Sequence, residues 1–151
     1  MSVKYDANSI ARWFIYRANN QEETDLSNLK LQKLLYYSQG HHLAQFSTPL
    51  FEDEIQAWSH GPVTPAVYHV YKSTGCEPLS VDPFDSKPAI DEETNDFLEQ
   101  VWTTFGSFSA WKLREMTHAE KPWLSSFRNG ELNIEISRDS MQQYFRSLYS
   151  V

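Results

Sequence analysis

The segment from Ser27 to Phe46 constrains the fold most, because its centre is apolar on nearly every side of a helix. Ser27 is a good N-cap residue. Leucines follow it at helical spacing: Leu31, Leu34, Leu35 and Leu43. The run from Leu34 to Tyr37 leaves no polar face, which predicts a central helix covered by the rest of the chain. Gly40 in that helix costs about 1 kcal/mol relative to Ala, so we expect a neighbouring element to pack closely there.

Five further helices are predicted from N-cap residues and apolar periodicity. One begins after Asp6, one after Thr64 with Pro65 at its first position, one after Ser109 and one after Ser137, while the fifth covers residues 97–105. Gly75 is expected to end the helix that Thr64 begins. Pro122 predicts an interruption of the helical structure before Trp123.

Two short stretches, residues 55–58 and 132–136, have extended patterns that could pair, although an isolated ribbon is marginal. Ser59-His60-Gly61-Pro62 is expected to be a turn, and residues 76–90, with three prolines, a loop. A length of 151 residues fits one domain. The sequence therefore predicts an all-α, mainly helical single domain over residues 1–151, with about six to seven helices and at most a small β-ribbon.

The cellular compartment is indicated by what the sequence lacks. Cys76 stands alone, which excludes an intramolecular disulfide and a zinc cluster built on cysteines. No apolar run approaches the roughly 18 residues of a membrane span. The first residues do not have the apolar stretch of a secretory signal. We therefore expect a cytoplasmic protein with no membrane partner.

Acidic residues are concentrated in one segment. Between Glu77 and Glu99 stand eight acids and one base, so this segment carries the entire formal net charge of −7. A sequence-independent DNA binder normally shows a basic stripe, and none is found here, which makes nucleic acid an unlikely partner. The segment is either a solvated loop leading into a polar helix face or an acidic contact surface for a basic partner.

The sequence shows no obvious catalytic or metal-binding arrangement. Five scattered glycines do not form a phosphate loop, and no two of the five histidines have the His-Glu-x-x-His spacing of a zinc site. We therefore predict no cofactor and no metal. His118, near Glu115 and Glu120, is interpreted either as one half of an acid–base pair or as a group that closes its helix by donating to the last carbonyls.

Two local groups of residues remain as candidate binding features. Lys30, Lys33 and Tyr37 fall at spacings of three and four on the second helix, which would give one edge of charged and aromatic character. The lysines are otherwise explained as snorkelling side chains. The other group is Trp58-Ser59-His60-Gly61-Pro62-Val63, an aromatic residue followed by a rigid turn. It is otherwise explained as a core Trp with the Gly-Pro as a lead-in to the next helix.

Four blocks of the sequence resemble the Panacea domain of the SocA-like antitoxin family, whose members are also known as phage-associated GepA proteins. The blocks are Leu31-Gln32-Lys33-Leu34-Leu35-Tyr36-Tyr37, then Pro49-Leu50-Phe51, then Ala57-Trp58-Ser59-His60-Gly61-Pro62-Val63, then Val67-Tyr68 with Tyr71-Lys72. Thr117-His118 followed by Pro122-Trp123 resembles the second signature of that family. The resemblance covers residues 6–125, and from about residue 129 the chain matches only in general character.

The resemblance implies the antitoxin of a toxin–antitoxin system of the kind found in prophages and phage defence. Such a protein is no enzyme and neutralises a cognate protein toxin by direct binding, and one branch delivers its toxin to a Clp protease. Many relatives carry an added DNA-binding region, which we do not expect in this chain because the resemblance begins at residue 6. The residues taken as candidates for partner binding are Lys30, Lys33, Tyr37, Trp58, Gly61, Pro62, Val63, Thr117, His118 and Trp123.

Two other functions stay open. One is a small hydrolase that uses His60, His69 or His118, and the other is a phage-associated DNA-binding regulator, which the charge disfavours. An adjacent reading frame that encodes a small protein toxic by itself would favour the antitoxin.

A fold without metal ligands predicts that chelation has no effect on stability. Purified protein should show the same melting temperature with and without EDTA, measured by circular dichroism, because no ligand spacing in the sequence suits a structural metal. A melting temperature that falls by many degrees in chelator would contradict this prediction.

Overall fold

The structure, a computed structural model, describes residues 5–20, 26–75, 77–80 and 88–149. Within these ranges the helices are α1 (Ala7–Asn19), α2 (Asn28–Phe46), α3 (Pro65–Tyr71), α4 (Glu92–Phe105), α5 (Ala110–His118), α6 (Lys121–Leu124) and α7 (Arg138–Ser147). A 3₁₀ turn, Lys72–Thr74, extends α3, and the strands are β1 (Gln56–Trp58) and β2 (Gly61–Val63). The predicted mainly helical single domain with a small β-ribbon is confirmed.

Helix starts agree closely with the capping residues of the sequence. The side chains of Asp6, Ser27, Ser109 and Ser137 each accept a hydrogen bond from the backbone N–H three residues on, as predicted. Asp91 caps α4 in the same way. Thr64 does precede α3, but its side chain makes no capping hydrogen bond. Its backbone N–H instead donates to Oε1 of Gln32, 2.8 Å away, which ties the start of α3 to α2.

Helix α2 lies at the centre of the fold, as its apolar run predicted. It contacts α1, α3, α4, α5, α7 and β2, and every residue from Lys30 to Gly40 is buried. The Phe145 ring of α7 lies directly against Gly40, where an added Cβ would be 2.1 Å from Cε2 of that ring. The close approach expected at Gly40 is therefore confirmed. Glycine has a low helix propensity, and its presence here is explained by the Phe145 ring packed against it.

The β-ribbon differs from the predicted turn by two residues. Strands β1 and β2 are antiparallel, with Gln56 opposite Val63 and Trp58 opposite Gly61. Only Ser59 and His60 form the connection, so the prediction that Gly61 and Pro62 also belong to the turn is wrong. A two-residue loop is the commonest hairpin connection. With this loop, Gly61 and Pro62 belong to β2 and pair with Trp58 and Ala57 of β1.

Residues 132–136 pair with the other edge of β1, as the two extended patterns suggested. The N–H of Ala57 donates to the Ile134 carbonyl, and that of Ile136 to the Ile55 carbonyl, each at 2.8 Å. The contact remains a single bridge, between Gln56 and Glu135. Asn133, at φ 63°, breaks the extended conformation, so the pairing does not continue.

Two further expectations concern breaks in the chain. Pro122 lies in the first turn of α6, where proline is tolerated because its missing N–H would have no partner there. The predicted break is therefore misplaced by a few residues, because the interruption lies between α5, which ends at His118, and α6, which begins at Lys121. In the expected loop of residues 76–90, residues 77–80 and 88–90 form neither helix nor strand, while Cys76 and residues 81–87 lie outside the described ranges. No described helix combines the length and the apolar character that crossing a bilayer requires.

Replacing Gly40 by Ala tests how tightly α7 packs on α2. Propensity alone favours Ala by about 1 kcal/mol, but the new methyl would overlap the buried Phe145 ring. Overpacking of this kind costs about 1–3 kcal/mol, so we expect a net loss of unfolding free energy in urea titrations. A smaller penalty in a Phe145→Leu background would trace the loss to this contact, whereas a more stable Gly40→Ala protein would contradict it.

Candidate functional site

Three separate sequence blocks meet beneath the β1–β2 turn, in what we call the junction. Its members come from α2, β2, the end of α5 and α6: Lys33, Gly61, Pro62, Thr117, His118 and Trp123. All six belong to the residues taken as candidates for partner binding. Their side chains or backbones contact one another or the turn, as the following contacts show.

Lys33 anchors the junction from within α2. Its side chain is fully buried, and Nζ donates to the carbonyl of Pro62 at 3.2 Å. Removal from water, together with the positive charge of Arg114, lowers the pKa of this lysine to about 7. The Lys33 amine contacts a backbone carbonyl and does not line a groove. We therefore interpret it as a structural group and not as a catalytic one.

Gly61 permits this close approach. It adopts φ +110°, a conformation that other residues rarely take, and an added Cβ would lie 2.9 Å from both Cε of Lys33 and Oγ1 of Thr117. A side chain at this position would force the ribbon away from α2 and α5. The Gly in the Trp-Ser-His-Gly-Pro-Val block is therefore required by conformation and by space.

His118 and Trp123 fix the other end of the ribbon. Nδ1 of His118 lies 2.7 Å from the Arg114 carbonyl, and Nε2 lies 2.8 Å from the Ser59 carbonyl. A carbonyl oxygen only accepts, so both contacts are hydrogen bonds when each ring nitrogen carries a proton. Nε1 of Trp123 donates to the Trp58 carbonyl at 2.7 Å. The interpretation that His118 closes α5 is confirmed, and its ring also holds the β1–β2 turn.

A buried carboxylate links α2 to the start of α6. The hydroxyls of Tyr36 and Tyr37 donate to the two oxygens of Glu120, each at 2.9 Å. Burial raises the pKa of Glu120 to about 7, although the two hydrogen bonds oppose that shift. The link was not predicted. Two tyrosines on a helix without a polar face were the available signal, since buried hydroxyls require partners inside the protein.

The predicted accessible edge on α2 is wrong. Lys30, Lys33 and Tyr37 are each at most 1% exposed, because α4, α5, α7 and β2 together cover this side of the helix. Nζ of Lys30 donates to the Gly106 carbonyl at 2.7 Å. The ring of Tyr37 stacks on Phe105 at 4.2 Å. These side chains hold neighbouring elements and do not present a surface.

A groove of about 440 Å³ lies between the β1–β2 turn and residues 127–133. Trp58, half-buried, lines it together with His60, His69 and Phe127, and the Trp58 ring lies 4.9 Å from that of Tyr68. We call this the Trp58 groove. Val63 is buried and does not line the groove. Of the ten candidates for partner binding, Trp58 is thus the one that lines this groove.

The three histidines of the alternative hydrolase do not converge on one point. His60 and His69 line the Trp58 groove, whereas both nitrogens of His118 are occupied by carbonyls. Burial and then the charges of Lys33, Arg114 and His118 lower the pKa of His60. Across the described ranges, no three His, Cys, Asp or Glu side chains are placed to share a metal ion.

Comparison with known proteins places the junction in a family. A model described as antitoxin SocA-like, Panacea domain, matches residues 31–124, from the first turns of α2 to the end of α6. The chain belongs to this family. Antitoxin SocA of Caulobacter vibrioides is 32% identical over 129 residues, which cover 78% of this chain and 68% of that protein. No solved structure matches the chain.

The matched range includes the whole junction of this Panacea domain, together with the Tyr36–Glu120 and Tyr37–Glu120 hydrogen bonds. Membership of the family supports an antitoxin role, with a toxin as the general class of partner. Helices α1 and α7 lie outside the match, yet α7 packs along α2 and completes its burial.

The buried Lys33 and Glu120 predict an unusual dependence of stability on pH. With a folded pKa of about 7 for Lys33, the unfolded chain binds the extra proton between pH 7 and the ordinary lysine range. Stability should therefore rise there with pH, by at most about 1.4 kcal/mol per unit. With a folded pKa of about 7 for Glu120, the folded state keeps the extra proton from the ordinary glutamate range up to pH 7, so the contribution of this group to stability falls with pH there. Burial lowers the pKa of His41 and of His60, and these histidines contribute a rise with pH over the same range.

Urea titrations across pH 4.5–10 in matched variants separate the two groups. Lys33→Met should abolish the rise above pH 7, and Glu120→Gln should make the slope between pH 4.5 and 7 more positive than that of the wild type. Lys72→Met, which alters an exposed lysine, is the control and should leave both slopes unchanged. Profiles of Lys33→Met and Glu120→Gln that run parallel to the wild type over both ranges would contradict the prediction.

Proposed function

We propose that this Panacea domain neutralises a cognate protein toxin by binding it directly and catalyses no reaction of its own. One observation carries the proposal: the junction side chains that could act in catalysis make hydrogen bonds to backbone carbonyls inside the fold. Lys33 donates to the Pro62 carbonyl, Thr117 to the Arg114 carbonyl, and His118 is held between two carbonyls. Such an arrangement stabilises a scaffold, and a scaffold is what a binding protein needs.

Similarity to Antitoxin SocA supports the same proposal from a separate direction. The ten candidates for partner binding then act at two levels. Eight of them lie where α2, α5, α6 and the ribbon meet, Lys30 ties α2 to Gly106 at the end of α4, and Trp58 reaches a groove that a partner can enter. Under this proposal, the nine support binding indirectly, through the position of the surfaces around them.

Co-expression with the product of an adjacent reading frame tests the proposal. If that product arrests growth by itself, the wild-type chain should restore growth and copurify with the toxin as a complex. The double variant His60→Ala/His69→Ala removes the two groove histidines and should rescue growth as long as it still copurifies with the toxin. Loss of rescue by a variant that keeps a normal circular dichroism spectrum and still copurifies with the toxin would favour a hydrolase instead.

The resemblance extends the proposal to delivery of the bound toxin to a Clp protease. The toxin half-life, measured after translation is stopped, should then shorten when the Panacea domain is present, and only in cells that contain the protease. A half-life that is unchanged by the protease, with rescue intact, would restrict the mechanism to blocking by binding.

A further inference from the structure

A second groove runs between the C-terminal half of α2 and the exposed side of α4. It consists of two adjoining cavities of about 210 and 200 Å³, which share Gln45, Phe97 and Gln100 as walls. We call it the α2–α4 groove. It lies apart from the Trp58 groove, with which it has no lining residue in common.

The α2–α4 groove has an aromatic floor and two exposed aromatic rims. Phe97 and Phe105 are buried at its base, while Phe46 and Tyr149 remain 39% and 49% exposed at its edges. Both rims are held in place before any partner binds. The Phe46 ring contacts those of His42 and Phe97, and the Tyr149 hydroxyl accepts a hydrogen bond from Gln45 at 3.0 Å. Fixed, exposed aromatic rings are the residue type that dominates binding energy at protein interfaces.

The charge of the groove is one-sided. Glu93 and Asp96 line it, and the lining residues include neither Lys nor Arg in the described part of the chain. His41, on the α2 wall, does not supply a compensating charge at neutral pH, because burial lowers its pKa to about 4. Nearby bases are engaged elsewhere: Arg17 pairs with Glu99 at 2.8 Å, and Arg146 donates to the Ala44 carbonyl and to Ser47.

Stabilisation of α4 explains only part of this negative charge. Glu92 and Glu93 stand in the first turn, where acids favour a helix by complementing its dipole. Asp96 is beyond that turn and makes no such contribution. The exposure of Phe46 and Tyr149 is also left without a structural reason, since an apolar ring gains nothing from water.

We propose that the α2–α4 groove binds a basic segment of the cognate toxin, with an apolar side chain between Phe46 and Tyr149 and Lys or Arg side chains against Glu93 and Asp96. Charge complementarity selects this occupant, because the acids face an aromatic floor without a compensating base. The inference rests on the proposed function and adds to it the surface that does the binding. The acidic segment recognised in the sequence is then a contact surface over its α4 part.

The experiment uses a toxin that the wild-type chain has already been shown to neutralise, so its outcome bears on the groove alone. Glu93→Lys/Asp96→Lys should weaken toxin binding at least tenfold in low salt, mainly through slower association. The salt dependence of association should shrink in the same variant. Phe46→Ala tests the apolar part and should weaken binding at least tenfold through faster dissociation, without changing the salt dependence.

A matched control is Glu77→Lys/Glu135→Lys, which changes the net charge equally at exposed positions that line neither the α2–α4 groove nor the Trp58 groove. It should bind the toxin within about twofold of wild type, since distant exposed charges contribute little. Circular dichroism melting of each variant checks that the fold is kept. Wild-type affinity in both groove variants would overturn the proposal while the antitoxin function stands. A loss of binding in the control as large as in Glu93→Lys/Asp96→Lys would also overturn it, because net charge and not the groove would then account for the effect.

Discussion

A helix whose central turns are buried on all sides must find hydrogen-bond partners for its polar side chains inside the protein. Each buried polar group left without a partner costs from about 1 to several kcal/mol. Helix α2 meets this constraint through contacts that fix its neighbours. Lys33 holds the Pro62 carbonyl, Gln32 accepts from the Thr64 N–H, and Tyr36 and Tyr37 donate to Glu120. These hydrogen bonds join α2 to β2, to the start of α3 and to the start of α6, so the arrangement of these elements follows from the needs of one helix.

The residues that carry the family resemblance are consequently scaffold residues. Gly61 is required by its conformation and by the space beside Lys33, and Trp123 and His118 bind the carbonyls of the β1–β2 turn. Under the proposed function, partner recognition falls to surfaces that the scaffold positions, such as the α2–α4 groove and the Trp58 groove. The residues that keep the domain folded would then be different from those that select the proposed toxin.

Local signals in the sequence predicted the helices well, because caps such as Asp6, Ser27 and Ser137 act within one turn of chain. The close contact at Gly40 was also predictable, since an unfavourable helix residue needs a packing reason. Burial of Lys30 and Lys33 was not. Lysine side chains are rarely buried, and what covers them here comes from α4, α5 and β2, which the chain reaches only much later. The hydrogen bond between Tyr37 and Glu120 was not predicted for the same reason, since the two residues are 83 positions apart in the sequence.

A double-mutant cycle on Tyr37 and Glu120 tests most directly whether buried polar contacts of α2 hold the family fold together. Tyr37→Phe and Glu120→Gln each keep the shape of the side chain, and the free energies of unfolding of the wild type, both single variants and the double variant are measured in urea. Direct coupling predicts an interaction energy of about 0.5–3 kcal/mol, as found for residues in one hydrogen-bond network. Additive effects, within about 0.3–0.5 kcal/mol, would show that the two side chains act independently and would contradict the claim.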